Sequence, residues 1–404
     1  MRLGLVRRMR AWLEASLPVV SGSEQEQADV FANGLFPVCP ATHDLGVRRL
    51  FDLSTLLLLL DCQPGDLVLD LGGGSGFSSE MLARLGYSVV AADPDHSALR
   101  SNRRRVTFDR RRILGDVRVV GGVAEALPLS GRQFDGAVCM NVLHHVEDLD
   151  AATSELSRVL KPGARAVFCE PGLDHLHWAE TVRARNEHGE NDHAFDVVAF
   201  LERALSLGFR EAMLSATLQS PLRLLPVQEL DLYLSGRHPR PHMTAAGVVE
   251  ELHRRHAFGM LVNDGDKPKT SRHPGRLACS IRLGPLPQHA APGQSLEVAI
   301  EASNTGDTTW LATPSPMGRF VTVGMKLLTA EGRLWRDDLG RTFLQRDVRP
   351  GEETAVVARW EMPRDLPEGE YQLKFDLVNE QAFWFSDLEP ASAQVVRIDV
   401  RTRA

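Results

Sequence analysis

Leu67-Val68-Leu69-Asp70-Leu71-Gly72-Gly73-Gly74-Ser75-Gly76 decides the fold. A leucine and valine run marks a buried strand, and Pro64-Gly65-Asp66 just before it is a turn signal. The glycines that follow allow a tight turn from strand into helix, bring a ligand close to the backbone, and set the positive end of a helix against it. The next apolar run ends in Ala91-Ala92-Asp93, which puts a carboxylate at the carboxyl edge of the sheet beside that loop. An acid so placed accepts both hydroxyls of a ribose.

Working outward, short apolar strands alternate with helical stretches from Leu67 to about Leu218. Strands are expected at Leu67 to Asp70, Ser88 to Ala92, Val117 to Gly121, Gly136 to Met140 and Ala164 to Glu170. This alternation implies βαβ units and a parallel sheet. Residues 1–60 carry helical periodicity and read as an N-terminal cover, residues 61–220 as the α/β domain, and residues 221–275 as a helical insertion (Ala245 to His256) and linker. After Arg276 the period changes to two. Leu296 to Ala302, Thr354 to Trp360, Tyr371 to Leu377 and Gln394 to Val400 read as strands, so residues 276–404 are expected to form an antiparallel β-sandwich.

The chain has 404 residues, enough for two or three domains at roughly 150 each. It is 43% hydrophobic and 25% charged, an ordinary globular composition, and its net charge of -7 supplies no overall positive field to attract nucleic acid. Five widely spaced cysteines fit neither a disulfide framework nor a zinc ribbon, and a reducing cytoplasm is the expectation. The most apolar run, Leu53 to Leu60, is far short of the ~20 residues of a membrane span. The arginine run Arg100, Arg103, Arg104, Arg105, Arg110, Arg111 and Arg112 reads as a solvated face or a phosphate-binding one.

Two cofactor classes use a glycine loop with a following acid. The dinucleotide pattern G-x-G-x-x-G fails here, because the third glycine would fall on Phe77 or Ser79. The run from Leu67 to Gly172 instead resembles the class I S-adenosylmethionine-dependent methyltransferases. The resemblance rests on Val68 to Gly76, the acidic end of strand two, Glu125-Ala126-Leu127-Pro128-Leu129, Phe134 to Val138, Asn141-Val142-Leu143-His144-His145-Val146 and Arg158 to Gly163. It implies a Rossmann-like parallel-sheet domain with S-adenosyl-L-methionine as cofactor. By that resemblance Asp70, Gly72, Gly74 and Gly76 line the methionine end, Asp93 binds the ribose, Ala124 and Glu125 lie at the adenine, and Asn141 passes beneath the methionine portion. Val123 stands where an adenine-facing aspartate is common.

Methyl transfer from a sulfonium is an in-line displacement of an already activated group, so alignment supplies most of the catalysis. A base is needed when the acceptor is a hydroxyl. His144 and His145 after strand four, and His175 in the cluster Glu170, His175, His177, His188, Glu190, Asn191, Asp192 and His193, are the candidate bases. That cluster's spacing matches no closed zinc site, and no metal is assigned. Its order also resembles methyltransferases of polysaccharide assembly, and residues 276–404 resemble immunoglobulin-like modules of glycan-processing proteins. The expected reaction is O-methylation of a saccharide or glycolipid. The alternatives are a small-molecule O- or N-methyltransferase, or a binding scaffold on the same fold. Trp360 is expected in the sandwich core, with Trp310, Trp384, Phe383 and Phe385 as surface candidates.

Overall fold

The computed structural model describes residues 43–108, 114–178, 181–182, 185–186, 192–215, 227–229, 231–232, 235–239, 247, 256–315 and 317–401. The chain divides into two compact units, Met1–Asp61 with Leu67–Leu85 and Val89–Asp264, and Cys62–Asp66 with Gly86–Ser88 and Gly265–Ala404.

Among the described residues the first unit has seven strands: β1 (Leu67–Leu71), β2 (Ser88–Asp93), β3 (Asp116–Gly121), β4 (Phe134–Met140), β5 (Leu160–Pro171), β6 (Phe209–Leu214) and β7 (His256–Asn263). Their order is β3-β2-β1-β4-β5-β7-β6. β1 pairs parallel with β4 and β4 with β5, whereas β7 runs antiparallel to both β5 and β6. The five expected strands are β1 to β5. The chain steps outward from β1 through β2 to β3, then returns to the other side of β1 at β4. This reversal makes the carboxyl ends of β1 and β4 the place where an open α/β sheet takes its ligand.

Helices α1 (His43–Leu60), α2 (Phe77–Arg84), α3 (His96–Phe108), α4 (Leu149–Val159) and α5 (Val197–Ala204) accompany the sheet. α4 starts because Asp148 accepts from the Ala151 amide, and it buries Ala152, Leu156 and Val159, one face at helical spacing. α5 repeats the device, with Asp196 accepting from Val198 and Ala199 and with Val197, Phe200, Leu201 and Ala204 buried.

β7 is a correction, because it lies within the segment taken as insertion and linker. His256 to Asn263 is a short apolar run, whose period does not separate strand from helix, and here all but His256 are buried. Gly259 is required there, since a Cβ would stand 2.1 Å from the Phe168 ring on the neighbouring strand. The Asn263 amide nitrogen then donates to the carbonyls of Ser157, Leu160 and Lys161, fastening the strand end. Of the expected helix Ala245 to His256, only Gly247 and His256 are described, and residues 1–42 also lie outside the described residues.

In the second unit β13 (Glu353–Glu361), β10 (Ser295–Asn304) and β8 (Cys279–Leu283) form one sheet. The other runs β12 (Leu334–Phe343), β11 (Val321–Thr329), β14 (Gly369–Asn379), β16 (Gln394–Val400) and β9 (His289–Ala290), with β15 (Phe383–Trp384) on β14 and the short helix α6 (Phe385–Leu388) after it. β10 alternates exposed and buried residues along its length, as its sequence period of two requires. Val298, Ile300, Ala358 and Trp360 from one sheet share a core with Val323, Met325, Phe375 and Ile398 from the other. Trp310 and Phe385 are corrections: both are fully buried and meet edge to face with ring centroids 5.7 Å apart. Trp310 is drawn inward by its paired backbone hydrogen bonds with Val348, and Phe385 opens the short helix α6 with its ring in the same core. Trp384 is half-buried, with Lys326 Nζ 4.1 Å and the Arg341 guanidinium 4.6 Å from its ring centroid.

Candidate functional site

Two loops meet at the switch point, one after β1 and one after β4. Gly72, at φ +66°, is where they touch, and a Cβ there would lie 2.2 Å from Val142 Cγ2. The Gly72 amide donates to the Ala92 carbonyl at the end of β2, at 2.8 Å. Gly74, at φ +47°, has no neighbour nearer than 3.8 Å to such a Cβ, so its left-handed turn leaves open space above the backbone. Gly76, at φ +92°, starts α2 against Asn102.

The Gly74 amide donates to Asp93 Oδ2 at 2.9 Å, and the Asp95 amide to Asp93 Oδ1 at 2.8 Å. The half-buried Asp93 carboxylate therefore stands at the glycine loop, where the sequence expects the ribose acid. Asp70 is buried, and its oxygens accept from the hydroxyls of Ser78 and Ser79 in the first turn of α2. Burial pushes its carboxyl up to about 6, against the lowering effect of those hydroxyls. Asp70 thus holds the loop to the helix, and Ser78 and Ser79 are partners that no sequence motif flagged.

Glu125 Oε1 accepts from the amides of Glu147 and Asp148 at 3.2 and 3.3 Å, tying the loop after β3 to the start of α4. Ala124 beside it is buried, and Val123 is 46% exposed. Asn141 follows β4 in the left-handed region at φ +54°, with its amide bonded to the Cys169 carbonyl and the residue exposed.

The histidines gather around a carboxylate that was quoted in the sequence without a role. Glu170, fully buried at the end of β5, accepts from the amides of Val142 and Leu143 at 2.8 and 2.9 Å and of His144 at 3.4 Å. It also lies 2.7 Å from His144 Nδ1. His145 Nδ1 is 2.8 Å from Asp192 Oδ1, while His144 Nε2 is 4.0 Å from the same oxygen. His193 donates its amide to the His144 carbonyl at 2.8 Å and so holds this segment in place. His175 is buried with Nδ1 on the Gly172 carbonyl at 3.0 Å, and its ring centroid is 4.9 Å from that of His144. Burial is the main cause that holds the His175 pKa below the usual imidazole value. His144, His145 and His175 are thus brought together, His177 is exposed, and His188, Glu190 and Asn191 lie outside the described residues. The arginine run is divided: Arg105 pairs with Glu80, Arg103 and Arg104 are exposed, and Arg110 to Arg112 are outside the described residues.

Comparison with known proteins agrees with this architecture. Residues 69–168 match the family described as "Methyltransferase domain", which makes that segment a domain of the expected class. S-adenosylmethionine as cofactor agrees with the match. A demethylmenaquinone methyltransferase from Thermobifida fusca is 39% identical over 126 residues, covering 31% of this chain and 52% of that protein. A ubiquinone/menaquinone biosynthesis C-methyltransferase from Vibrio campbellii is 37% identical over 141 residues, 32% of this chain and 52% of that protein. The chain spans about half the length of these curated relatives. Among solved structures, an S-adenosylmethionine dependent methyltransferase from Mesorhizobium loti shares 18% identity at a TM-score of 0.38, covering 52% of this chain and 96% of that one. The saccharide expectation finds no support in these two relatives, whose names are those of quinone-pathway methyltransferases. Among the described residues no helix is long and apolar enough to cross a membrane.

Proposed function

We propose that the first unit transfers a methyl group from S-adenosylmethionine to a small-molecule acceptor. The observation that carries this is the Gly74 to Asp93 hydrogen bond, which joins an open left-handed glycine turn to a carboxylate at the carboxyl edge of the sheet. A nucleoside fits that pairing because its hydroxyls donate to the acid while its charged or polar tail meets the glycine backbone. The acceptor then lies toward Asn141 and the histidine group, since both follow β4 on the same edge. The relatives' names favour a small aromatic acceptor over a sugar polymer.

The two-sheet architecture of the second unit supports reading it as an immunoglobulin-like sandwich, and we assign it no part in the chemistry. The test is incubation of the full chain with methyl-labelled S-adenosylmethionine and a cell extract, followed by separation of acceptor classes. Label among small lipophilic or phenolic compounds supports the reading. Label confined to polysaccharide returns the acceptor to a sugar, and calorimetry showing no cofactor binding removes the reading altogether.

A further inference from the structure

We propose that His144, His145 and Asp192 form a binding site for one divalent transition-metal ion, of the borderline class that imidazole and carboxylate share, such as zinc. One ligand atom from each lies within 4.8 Å of the others, and two of the separations are 2.8 and 4.0 Å. Ligand atoms around a tetrahedral ion with bonds of about 2.0–2.1 Å are roughly 3.3 Å apart, a value between those two.

Hydrogen bonding prepares the site. Glu170 is held by three backbone amides and lies 2.7 Å from His144 Nδ1, so it is placed to accept a hydrogen bond from an Nδ1–H. In the tautomer that bonds Glu170 through Nδ1–H the lone pair is on Nε2, the atom that faces Asp192 Oδ1 across 4.0 Å, too far for a hydrogen bond. A carboxylate on the far nitrogen of an imidazole is the support that metal-binding histidines ordinarily have. Asp192 Oδ1 is buried and makes no geometrically sound hydrogen bond among the described residues, although His145 Nδ1 is 2.8 Å from it. An ion bonded to Asp192 Oδ1 and to both rings gives that oxygen a partner. His175 lies next to the group in the same state, with Nδ1 on a carbonyl and a buried Nε2 that has no partner among the described residues. Three protein ligands leave a fourth position open, as in zinc sites that act on a substrate. The ligands come from the 3₁₀ turn Leu143–His145 and from a segment distant in sequence, so their spacing along the chain gives no zinc pattern.

The test uses the full chain, stripped with a chelator and titrated with Co2+, with Zn2+ as competitor. The expected result is one Co2+ per chain with the intense visible absorption of a tetrahedral centre, displaced by Zn2+. His145→Ala and Asp192→Ala each weaken binding at least tenfold, whereas His177→Ala, an exposed neighbour outside the group, leaves it unchanged. Glu170→Gln weakens it 10- to 100-fold through His144. Circular dichroism checks folding, and because His145 is well exposed its variant carries the test if Glu170→Gln fails to fold. Absence of stoichiometric Co2+ in the folded protein overturns the proposal, as does undiminished binding in the His145→Ala/Asp192→Ala double variant. In either case the three residues are an ordinary ion-paired cluster.

Discussion

The amide of Gly74 and the carboxylate of Asp93, 2.9 Å apart, make the glycine loop and the end of β2 a single structural unit. Residues on either side of α2 are therefore coupled structurally. Removing the acid affects the loop as well as any ligand.

Asp93→Ala should abolish measurable S-adenosylmethionine binding by calorimetry or weaken it at least tenfold. Hydrogen bonds to a charged group contribute ~1.5–3 kcal/mol each, and a ribose offers two. Unchanged affinity in a folded variant would show that the nucleoside lies elsewhere.

Gly72→Ala and Gly74→Ala should separate folding from binding. At Gly72 the new Cβ collides with Val142 and the backbone is left-handed, so a loss of about 3 kcal/mol in denaturant unfolding is expected. At Gly74 the space is open and only the left-handed conformation is penalised, about 1 kcal/mol. That variant should fold and yet bind cofactor poorly, because the methyl occupies the ligand's side of the loop. Equal stability loss in both would contradict the geometry.

Asp70 supplies a pH-dependent prediction. Its carboxyl sits near 6 in the folded chain because of burial, above the unfolded value of 3.8. The native state therefore holds a proton that the unfolded chain has released, and stability falls as pH rises from about 4 to about 6. The accumulated loss is roughly 3 kcal/mol and is constant at higher pH. Asp70→Asn removes that charge, so its melting temperature should exceed that of the parent at pH 8 and converge with it near pH 4. A difference that does not change with pH would remove burial of the charge as the cause. The same variant is expected to lose methyl transfer, since Ser78 and Ser79 no longer have an anion to hold the loop against α2.

Val123→Asp should tighten cofactor binding by a few-fold. Val123 is 46% exposed next to Ala124, and by the resemblance to class I methyltransferases it stands where an adenine-facing acid is expected. A new hydrogen bond of about 1 kcal/mol accounts for such a gain. No gain, or a loss, would mean that Glu125 or the backbone already serves the adenine.

Much of the first unit was legible because its signals are local. The apolar runs that became β1 to β5, the glycines at left-handed φ and the acid that ends β2 each follow from neighbouring residues alone. β7 was not legible, since His256–Asn263 reaches its place between β5 and β6 only through pairings with residues far away in sequence. The second unit shows the same division: the period of two in β10 was readable, whereas the burial of Trp310 depends on its pairing with Val348, far away in sequence.

The sequence by itself determined the parallel α/β core, the nucleoside-type loop and the strand-rich second unit, because backbone conformation and period are set by near neighbours. The tertiary structure alone decided that Glu170 holds His144, that Asp192 meets His145, and that Asp70 faces two serines. Such pairings form where separate strand ends converge on one edge of a sheet, and sequence distance carries no record of that convergence.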